Sequence, residues 1–477
     1  MNARLVIAAP SSGAGKTTVV TGLLRALRDR GVRVQAFKVG PDYIDPTCHR
    51  LASGRDGCNL DLWLMGEAAV RELFARMTQG AEVAIIEGVM GLYDGAAGGA
   101  GSTASLARLL AAPVVLVLDA SAGAQSLAAT ALGFREYDRR LQVAGVIANR
   151  VGSDRHAALI AEALQPVGLP LLGALPHDDG LRLPEGRLGL VIGGGVAAWV
   201  ERAGAAIGQG VDLERLMAIA RTAPPLPRAH EGVVFAPDLA GRYAGLTIAI
   251  ARDEAFWFYY ADALAWCQYL GVTLVPFSPV RDPSLPEGCD GLWFGGGFPE
   301  RHAEALAANI ALRRAVQSAY AAGLPMYAEC GGFQYLLEEY VVDGRSWPMA
   351  GCLKGRTVLM PHLEGLGYRL AEPAQPAQPA CHWLAAGEAL RGHVFHYGRP
   401  QNLEGCSAWR LFRADGSYER LDGRVTPSLL ASYLHVHLPT QQRLALAFLE
   451  RCRRWRDSRK NPENRRDSGR GRSLRGP

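Results

Sequence analysis

Leu5-Val-Ile-Ala-Ala9 runs straight into Pro10-Ser-Ser-Gly-Ala-Gly-Lys-Thr-Thr18, after which apolar residues recur at helical spacing through Val19, Leu23, Leu24 and Leu27. A short apolar strand, a glycine-rich turn, Lys-Thr-Thr and a helix together make a phosphate-binding loop. Backbone N–H groups at Gly13 and Gly15 would converge on phosphate oxygens, with the positive end of the following helix adding to the attraction. Lys16 supplies a mobile positive charge, Thr17 and Thr18 add hydroxyls, and Thr17 is the one that reaches a magnesium ion in this pattern. The first position of the motif is Pro10 instead of glycine. The loop points to a nucleotide phosphate and leaves open what the nucleotide is for.

Four more short apolar runs follow, at 32–39, 83–87, 113–119 and 143–149, with helical patterns between them. Strands alternating with helices predict an α/β fold with a doubly wound parallel sheet covered on both faces. Ligands of such sheets sit beyond the carboxyl ends of the strands. Lys38, Asp42, Asp45, Glu87, Asp94 and Asn149 all fall at or just after those ends, on the same rim as the phosphate loop.

Composition narrows the rest. Nearly half of the 477 residues are apolar, so the chain can fill large cores and is not globally disordered. No apolar run approaches the roughly 20 residues of a membrane span, and the start of the chain becomes core strand instead of a signal peptide, so a cytoplasmic protein without a membrane partner is expected. The nine cysteines form no Cys-x-x-Cys pair, which argues against a disulfide scaffold or structural zinc. The net charge is +5, but residues 452–477 alone carry ten Lys and Arg against three Asp and Glu, so the remaining body sums to −2. A near-neutral body does not predict a nucleic-acid surface, and the basic tail is expected to be disordered. The expected domains are 1–222, a proline-rich linker at 223–245, a second α/β unit at 246–451 with a helix expected from Phe258 to Leu270, and the tail at 452–477.

In the second unit, the strand Pro325-Met-Tyr-Ala-Glu329 ends abruptly in Cys330-Gly331-Gly332. A nucleophile on a strand-to-helix turn flanked by glycines is an elbow that exposes the sulfur and aims backbone N–H groups at a developing oxyanion. Gly331 and the Gly295-Gly296-Gly297 turn are the expected donors. A thiol near pKa 8.5 needs a base or a positive neighbour, and His435 and His437 near the chain end are the candidates.

Gly295-Gly-Gly-Phe-Pro-Glu300, Ala328-Glu-Cys-Gly-Gly332, Arg391-Gly-His-Val-Phe-His-Tyr397 and Ser432-Tyr-Leu-His-Val-His437 together resemble the class I glutamine amidotransferase domain of the cobyrinic acid amidase family. Pro10 to Thr18, Lys38-Val-Gly-Pro-Asp-Tyr-Ile-Asp-Pro46 and Glu87-Gly-Val-Met-Gly-Leu-Tyr-Asp-Gly95 resemble its ATP-dependent, dethiobiotin-synthetase-like domain. The resemblance runs from residue 1 to about 450 in the same order.

The resemblance implies Cys330 as the nucleophile that takes the glutamine acyl group and frees ammonia, with His435 raising its nucleophilicity. Class I enzymes usually carry a glutamate two residues after that histidine; here His437 stands there, leaving the third role open. His393 and His396 are expected to shape the site or pack. The resemblance further implies that ATP phosphorylates a carboxylate for ammonia to displace. Lys16 and Lys38 would neutralise charge, and Thr17, Asp45 and Glu87 would hold Mg2+. Asp42 and Asp94 would bind metal or orient the substrate, while Asn149 resembles an adenine-reading position. The implied partners are a corrinoid precursor, glutamine and ATP, and a homodimer is compatible with this reading. A nickel sirohydrochlorin is the alternative substrate. A partitioning-type switch ATPase is the alternative of a different class, but such loops carry an extra lysine near Pro10 and lack a fused amidotransferase. A glutaminase-like hydrolase would leave the acidic rim without a purpose.

Overall fold

The computed structural model describes residues 3–96, 99–183, 194–227, 231–374, 383–385 and 387–460. Most of the Pro-Ala-Gln stretch after Pro373 and the tail from residue 461 lie outside these. The chain forms two compact units, one of residues up to Val234 with Tyr260–Asp262, the other from Phe235 onward.

The first unit holds strands β1 (Arg4–Ala8), β2 (Val34–Val39), β3 (Cys58–Leu60), β4 (Val83–Glu87), β5 (Val114–Asp119), β6 (Val143–Val151) and β7 (Leu171–Pro176). They pair in the order β3-β2-β4-β1-β5-β6-β7, every pair parallel. The chain leaves β1 on one side to build β2 and β3, then returns through β4 to build the other side. This places the β1 turn at the switch point where an open α/β sheet leaves a crevice. β1, β2 and β4 are buried along their whole length, as strands covered on both faces must be. β3 is only three residues, and in β7 only Leu172 and Leu175 are buried.

Helix α1 (Lys16–Asp29) starts at Gly15, whose φ of 94° is left-handed and suits glycine. It buries Val19, Val20, Leu23, Leu24 and Leu27 against the sheet and the helix Gly194–Gly210. No helix among the described residues is long and apolar enough to cross a membrane.

The second unit is built on β8 (Thr247–Ala251), β9 (Phe256–Phe258), β10 (Thr273–Phe277), β11 (Gly291–Phe294), β12 (Gly296–Gly297) and β13 (Met326–Glu329). The main sheet runs β10-β8-β11-β13, continues with Leu429–Ser432 in parallel and ends with Arg424–Val425 antiparallel. β13 is therefore central. An antiparallel sheet of Gly365–Pro373, Leu390–His396 and the short strand His435–Val436, among others, sets His393 opposite His435.

Three expectations are corrected. The helix expected from Phe258 begins at Ala261, because Phe256–Phe258 is drawn into a strand against Gly296–Gly297. Residues 223–245 are not a bare linker: Val234, Phe235, Leu239 and Tyr243 are buried. The last helix, Gln442–Lys460, continues through the start of the basic segment because Leu444, Ala445, Phe448, Leu449 and Cys452 form its buried stripe.

Gly22 lies where α1 meets the helix Gly194–Gly210; a Cβ there would sit 2.6 Å from the Ala203 carbonyl oxygen. Gly22→Val should therefore lower stability by about 1–3 kcal/mol through overpacking. Thermal unfolding of the variant measures this, and an unchanged melting temperature would refute the close approach.

Candidate active sites

The strand register assembles the first site. Lys38 on β2 pairs with Glu87 on β4, and Glu87 with Ile7 on β1, immediately before the loop. Asp45 enters from helix α2 (Ile44–Ser53). The Lys38 ammonium lies 2.5 Å from Asp45 Oδ2 and 2.9 Å from Glu87 Oε1, and also donates to the Gly88 carbonyl. Thr17 Oγ1 donates to Glu87 Oε1 at 2.7 Å and lies 3.4 Å from Asp45 Oδ2. Lys16 Nζ donates to the carbonyls of Ser11 and Met90, so its charge is folded over the loop. Asn149 Nδ2 donates to the Ala14 carbonyl and Thr18 Oγ1 to that of Leu181. Gly13, Gly15, Lys16, Thr17, Thr18, Lys38, Asp42, Asp45 and Asn149 all face one cavity of about 880 Å³.

Burial and neighbouring charges shift several ionisable groups in this site. Burial works against the Lys38 ammonium, but Asp45, Glu87 and Asp42 hold its pKa above the ordinary lysine value. Burial also opposes the Glu87 charge, yet Lys38, His49 and Thr17 hold its carboxyl below the usual range. Burial, then Asp42 and Glu87, push Asp45 up. Burial with Lys38 nearby brings Lys16 down to about 8. Asp42, Asp45 and Glu87 crowd around Lys38, with Lys16 as a second cation nearby, and a divalent cation would ease the repulsion among the three carboxylates. Among the described residues no three His, Cys, Asp or Glu side chains form a ready-made metal cage. One hydroxyl and two carboxylates nevertheless fit Mg2+, which keeps waters and takes the rest of its shell from phosphate.

Two rim acids have local tasks. Asp42 Oδ1 accepts the N–H groups of Ile44 and Asp45, stapling the start of α2. Asp94 Oδ2 accepts the Gly91 N–H and faces a neighbouring cavity with Pro10, Tyr93, Phe134 and Tyr137, so it is not among the residues brought to the nucleotide cavity.

In the second unit Cys330 links β13 to the helix Gly331–Leu336 with φ 47° and ψ −104°, a strained conformation for a residue with a Cβ. Its N–H is held by the Ser432 carbonyl at 2.7 Å. The thiol faces the Phe395 carbonyl at 3.6 Å and is hydrogen-bonded by the Gly331 N–H, which favours the thiolate. Burial, Glu300 and Glu329 outweigh that bond and push the thiol up. Gly296 leaves room for the His435 ring, whose Cε1 lies 2.6 Å from where its Cβ would be. The Gly297 nitrogen lies 3.1 Å from a Cβ built on Gly331, so these two donors border the same space.

Two functional candidates escaped sequence reading. Glu329 Oε2 is 3.5 Å from His435 Nδ1, and its Oε1 accepts the Val436 N–H at 3.1 Å and the Tyr327 hydroxyl at 2.5 Å. His437, which occupies the usual glutamate position, instead meets Thr440 Oγ1 through Nδ1. Glu329 lies inside the quoted Ala-Glu-Cys motif, but nothing local ties it to a histidine 106 positions on. His49 Nε2 is 2.7 Å from Glu87 Oε2; its spacing of four from Asp45 on one helix was the available signal. His393 stacks on His435, and His396 binds the Gly398 carbonyl and Arg420, with burial and Arg420 lowering it to about 3.

Comparison with known proteins matches both halves. Residues 5–190 match the CobQ/CobB/MinD/ParA nucleotide binding domain, and residues 247–442 the CobB/CobQ-like glutamine amidotransferase domain. The hydrogenobyrinate a,c-diamide synthase of Streptomyces coelicolor is 42% identical over 94% of this chain and 97% of its own length. The cobyrinate a,c-diamide synthase of Syntrophotalea carbinolica is 43% identical over 94% and 98%. The hydrogenobyrinate a,c-diamide synthase of Thermobifida fusca is 44% identical over 91% and 93%. The chain belongs to the a,c-diamide synthase family. It joins a nucleotide-binding domain to a glutamine amidotransferase domain, the pairing of an ATP-dependent enzyme that amidates with glutamine nitrogen. Among solved structures, chloroplast FtsY from Physcomitrella patens aligns with a TM-score of 0.30 at 16% identity, over 43% of this chain and 65% of that one, a likeness too low to carry an argument.

Lys38→Met would strand Asp45 and Glu87 without their shared ammonium. Breaking a buried pair by removing one partner costs about 3–5 kcal/mol. Denaturant unfolding should show that loss, and a variant as stable as the native protein would contradict the charge arrangement.

Proposed function

We propose that this chain amidates the a and c side-chain carboxylates of cobyrinic or hydrogenobyrinic acid in cobalamin biosynthesis, using ATP and glutamine. The observation that carries the reading is identity above 40% to a,c-diamide synthases across 94% of the chain, through both halves.

A free carboxylate is a poor electrophile. Transfer of the ATP γ-phosphoryl group to it gives an acyl phosphate and ADP, and attack of ammonia then forms the amide and expels phosphate. Such transfer depends on positioning and charge neutralisation more than on covalent help. The loop N–H groups and Lys16 hold the phosphates, and Lys38 meets the charge that develops beside them. Asn149 borders the loop in the position to read the base, and Asp42 fixes α2 so that Asp45 keeps its place. Thr17, Asp45 and Glu87 would hold Mg2+, which when bound supplies further neutralisation of the phosphates.

In the other half, the Cys330 sulfur attacks the glutamine side-chain carbonyl as a thiolate. The N–H groups of Gly297 and Gly331 receive the oxyanion, and Gly296 keeps the space for His435. His435 takes the thiol proton and returns it to the departing ammonia. Glu329 orients the His435 ring in place of the missing glutamate after it. Water then releases glutamate from the thioester.

Incubation with Mg-ATP, glutamine and either acid, followed by mass spectrometry, should show two amidations; no mass gain with either acid would sink the reading. Cys330→Ala should lose glutamine-driven amidation, a fall of a thousandfold or more in line with loss of a nucleophile, while ammonia still serves as nitrogen source. Equal loss with both sources in a folded variant would refute the division of labour. Asp45→Asn and Glu87→Gln should instead cut ammonia-driven and glutamine-driven rates alike, and retained ammonia-driven amidation would remove these acids from the metal site.

A further inference from the structure

The Cys330 cleft contains a carboxylate that ammonia release does not use. Glu300 closes the Gly295-Gly-Gly-Phe-Pro-Glu300 turn and lines the same cleft as Cys330, Gln334 and Tyr340. Among the described residues its one side-chain hydrogen-bond partner is the Tyr340 hydroxyl, 3.4 Å from Oε2. Burial raises its pKa to about 7, with its own N–H, Arg301 and Tyr340 pulling the other way. The titratable groups facing it are Cys330, Tyr340, His396 and Tyr397 across the cleft and Arg301 on its own turn. None of those across the cleft carries a resident positive charge at neutral pH, His396 being held neutral by burial.

A poorly compensated, partly buried acid next to a thiol that must become negative is a handicap in the empty cleft. Among the charged neighbours of Cys330, Glu300 opposes ionisation of the thiol most. The handicap disappears when a cation joins the acid, because a like charge disfavours the thiolate only while it stands alone. Glutamine carries one cation, its α-ammonium, a side chain's length from the amide carbon that the sulfur attacks.

We propose that Glu300 receives the α-ammonium of the nitrogen donor, so that the cleft selects an amino acid and favours the Cys330 thiolate only when that amino acid is bound. The inference rests on the glutamine-using reading of this half. Selection arises because a site built to pair a charged group rejects the analogue that lacks it and leaves the site's own buried group unpaired. Coupling arises because the bound ammonium cancels the charge that holds the thiol proton in place. Donor binding and nucleophile activation become one event, which limits wasteful thiolate chemistry in the empty cleft.

The test uses the full chain with Glu300→Gln, which keeps the shape and removes the charge, and two nitrogen donors, glutamine and glutaramate, the analogue without the α-amino group. In the native protein glutamine should be strongly preferred. In the variant kcat/KM for glutamine should fall by ~100-fold, within the range for truncating one partner of a buried charge pair, chiefly through KM, while glutaramate is used as well as before. Tyr340→Phe, which keeps the carboxylate, should keep the preference. Alkylation of Cys330 by iodoacetamide across pH, without donor, should show a lower midpoint in Glu300→Gln than in the native protein, a readout that a merely structural role would not move. Ammonia-driven amidation reports that each variant is folded. An undiminished preference for glutamine, or equal losses with both donors and an unshifted alkylation midpoint, overturns the proposal. A native protein that releases no ammonia from glutamine overturns the glutamine reading itself, and the inference with it.

Discussion

A buried ammonium between two buried carboxylates holds the first unit's site together. Lys38 cannot leave Asp45 and Glu87 without stranding two largely buried carboxylates. That constraint fixes α2 against the ends of β2 and β4 and brings Thr17, at the start of α1, onto the same carboxylates. His49 closes the other side of Glu87. An apolar sheet with a charged rim is the result: the strands supply stability through burial, and their carboxyl ends carry the groups that burial would otherwise exclude.

The second unit solves a different problem, that of presenting one sulfur. Positive φ at Cys330 is tolerated because β13 lies between β11 and Leu429–Ser432, and the Ser432 carbonyl holds the Cys330 N–H. The same strand position puts Glu329 beside His435. Small residues at Gly296 and Gly331 are needed for space more than for flexibility, since side chains there would meet His435 and Pro299. In the empty cleft the thiol is nonetheless held protonated by burial and by two glutamates. Activation therefore has to come with the substrate, which is the physical setting for a role of Glu300.

Much of this was legible along the chain. The phosphate loop, the rim acids and the cysteine elbow each follow a short apolar run, so periodicity and punctuation alone locate them. β3 was not legible because three residues are too few to leave a pattern. The start of the helix at Ala261 was misplaced because Phe256–Phe258 reads equally well as a helix or a strand until Gly296–Gly297 pairs with it. The end of the last helix was misplaced because the basic residues mask its buried stripe.

By itself, the sequence determined two α/β units, a nucleotide-phosphate loop, a nucleophilic cysteine and the family resemblance, because all of these rest on residues that are neighbours in the chain. Only the tertiary structure decided which acid faces Lys38, that Asp94 looks into a neighbouring cavity, and that Glu329 instead of His437 stands by His435. Most of those contacts join elements far apart in the chain, Lys38 to Glu87 and Glu329 to His435 among them. They depend on sheet order and register, which are settled by the packing of the whole core and not by any local stretch.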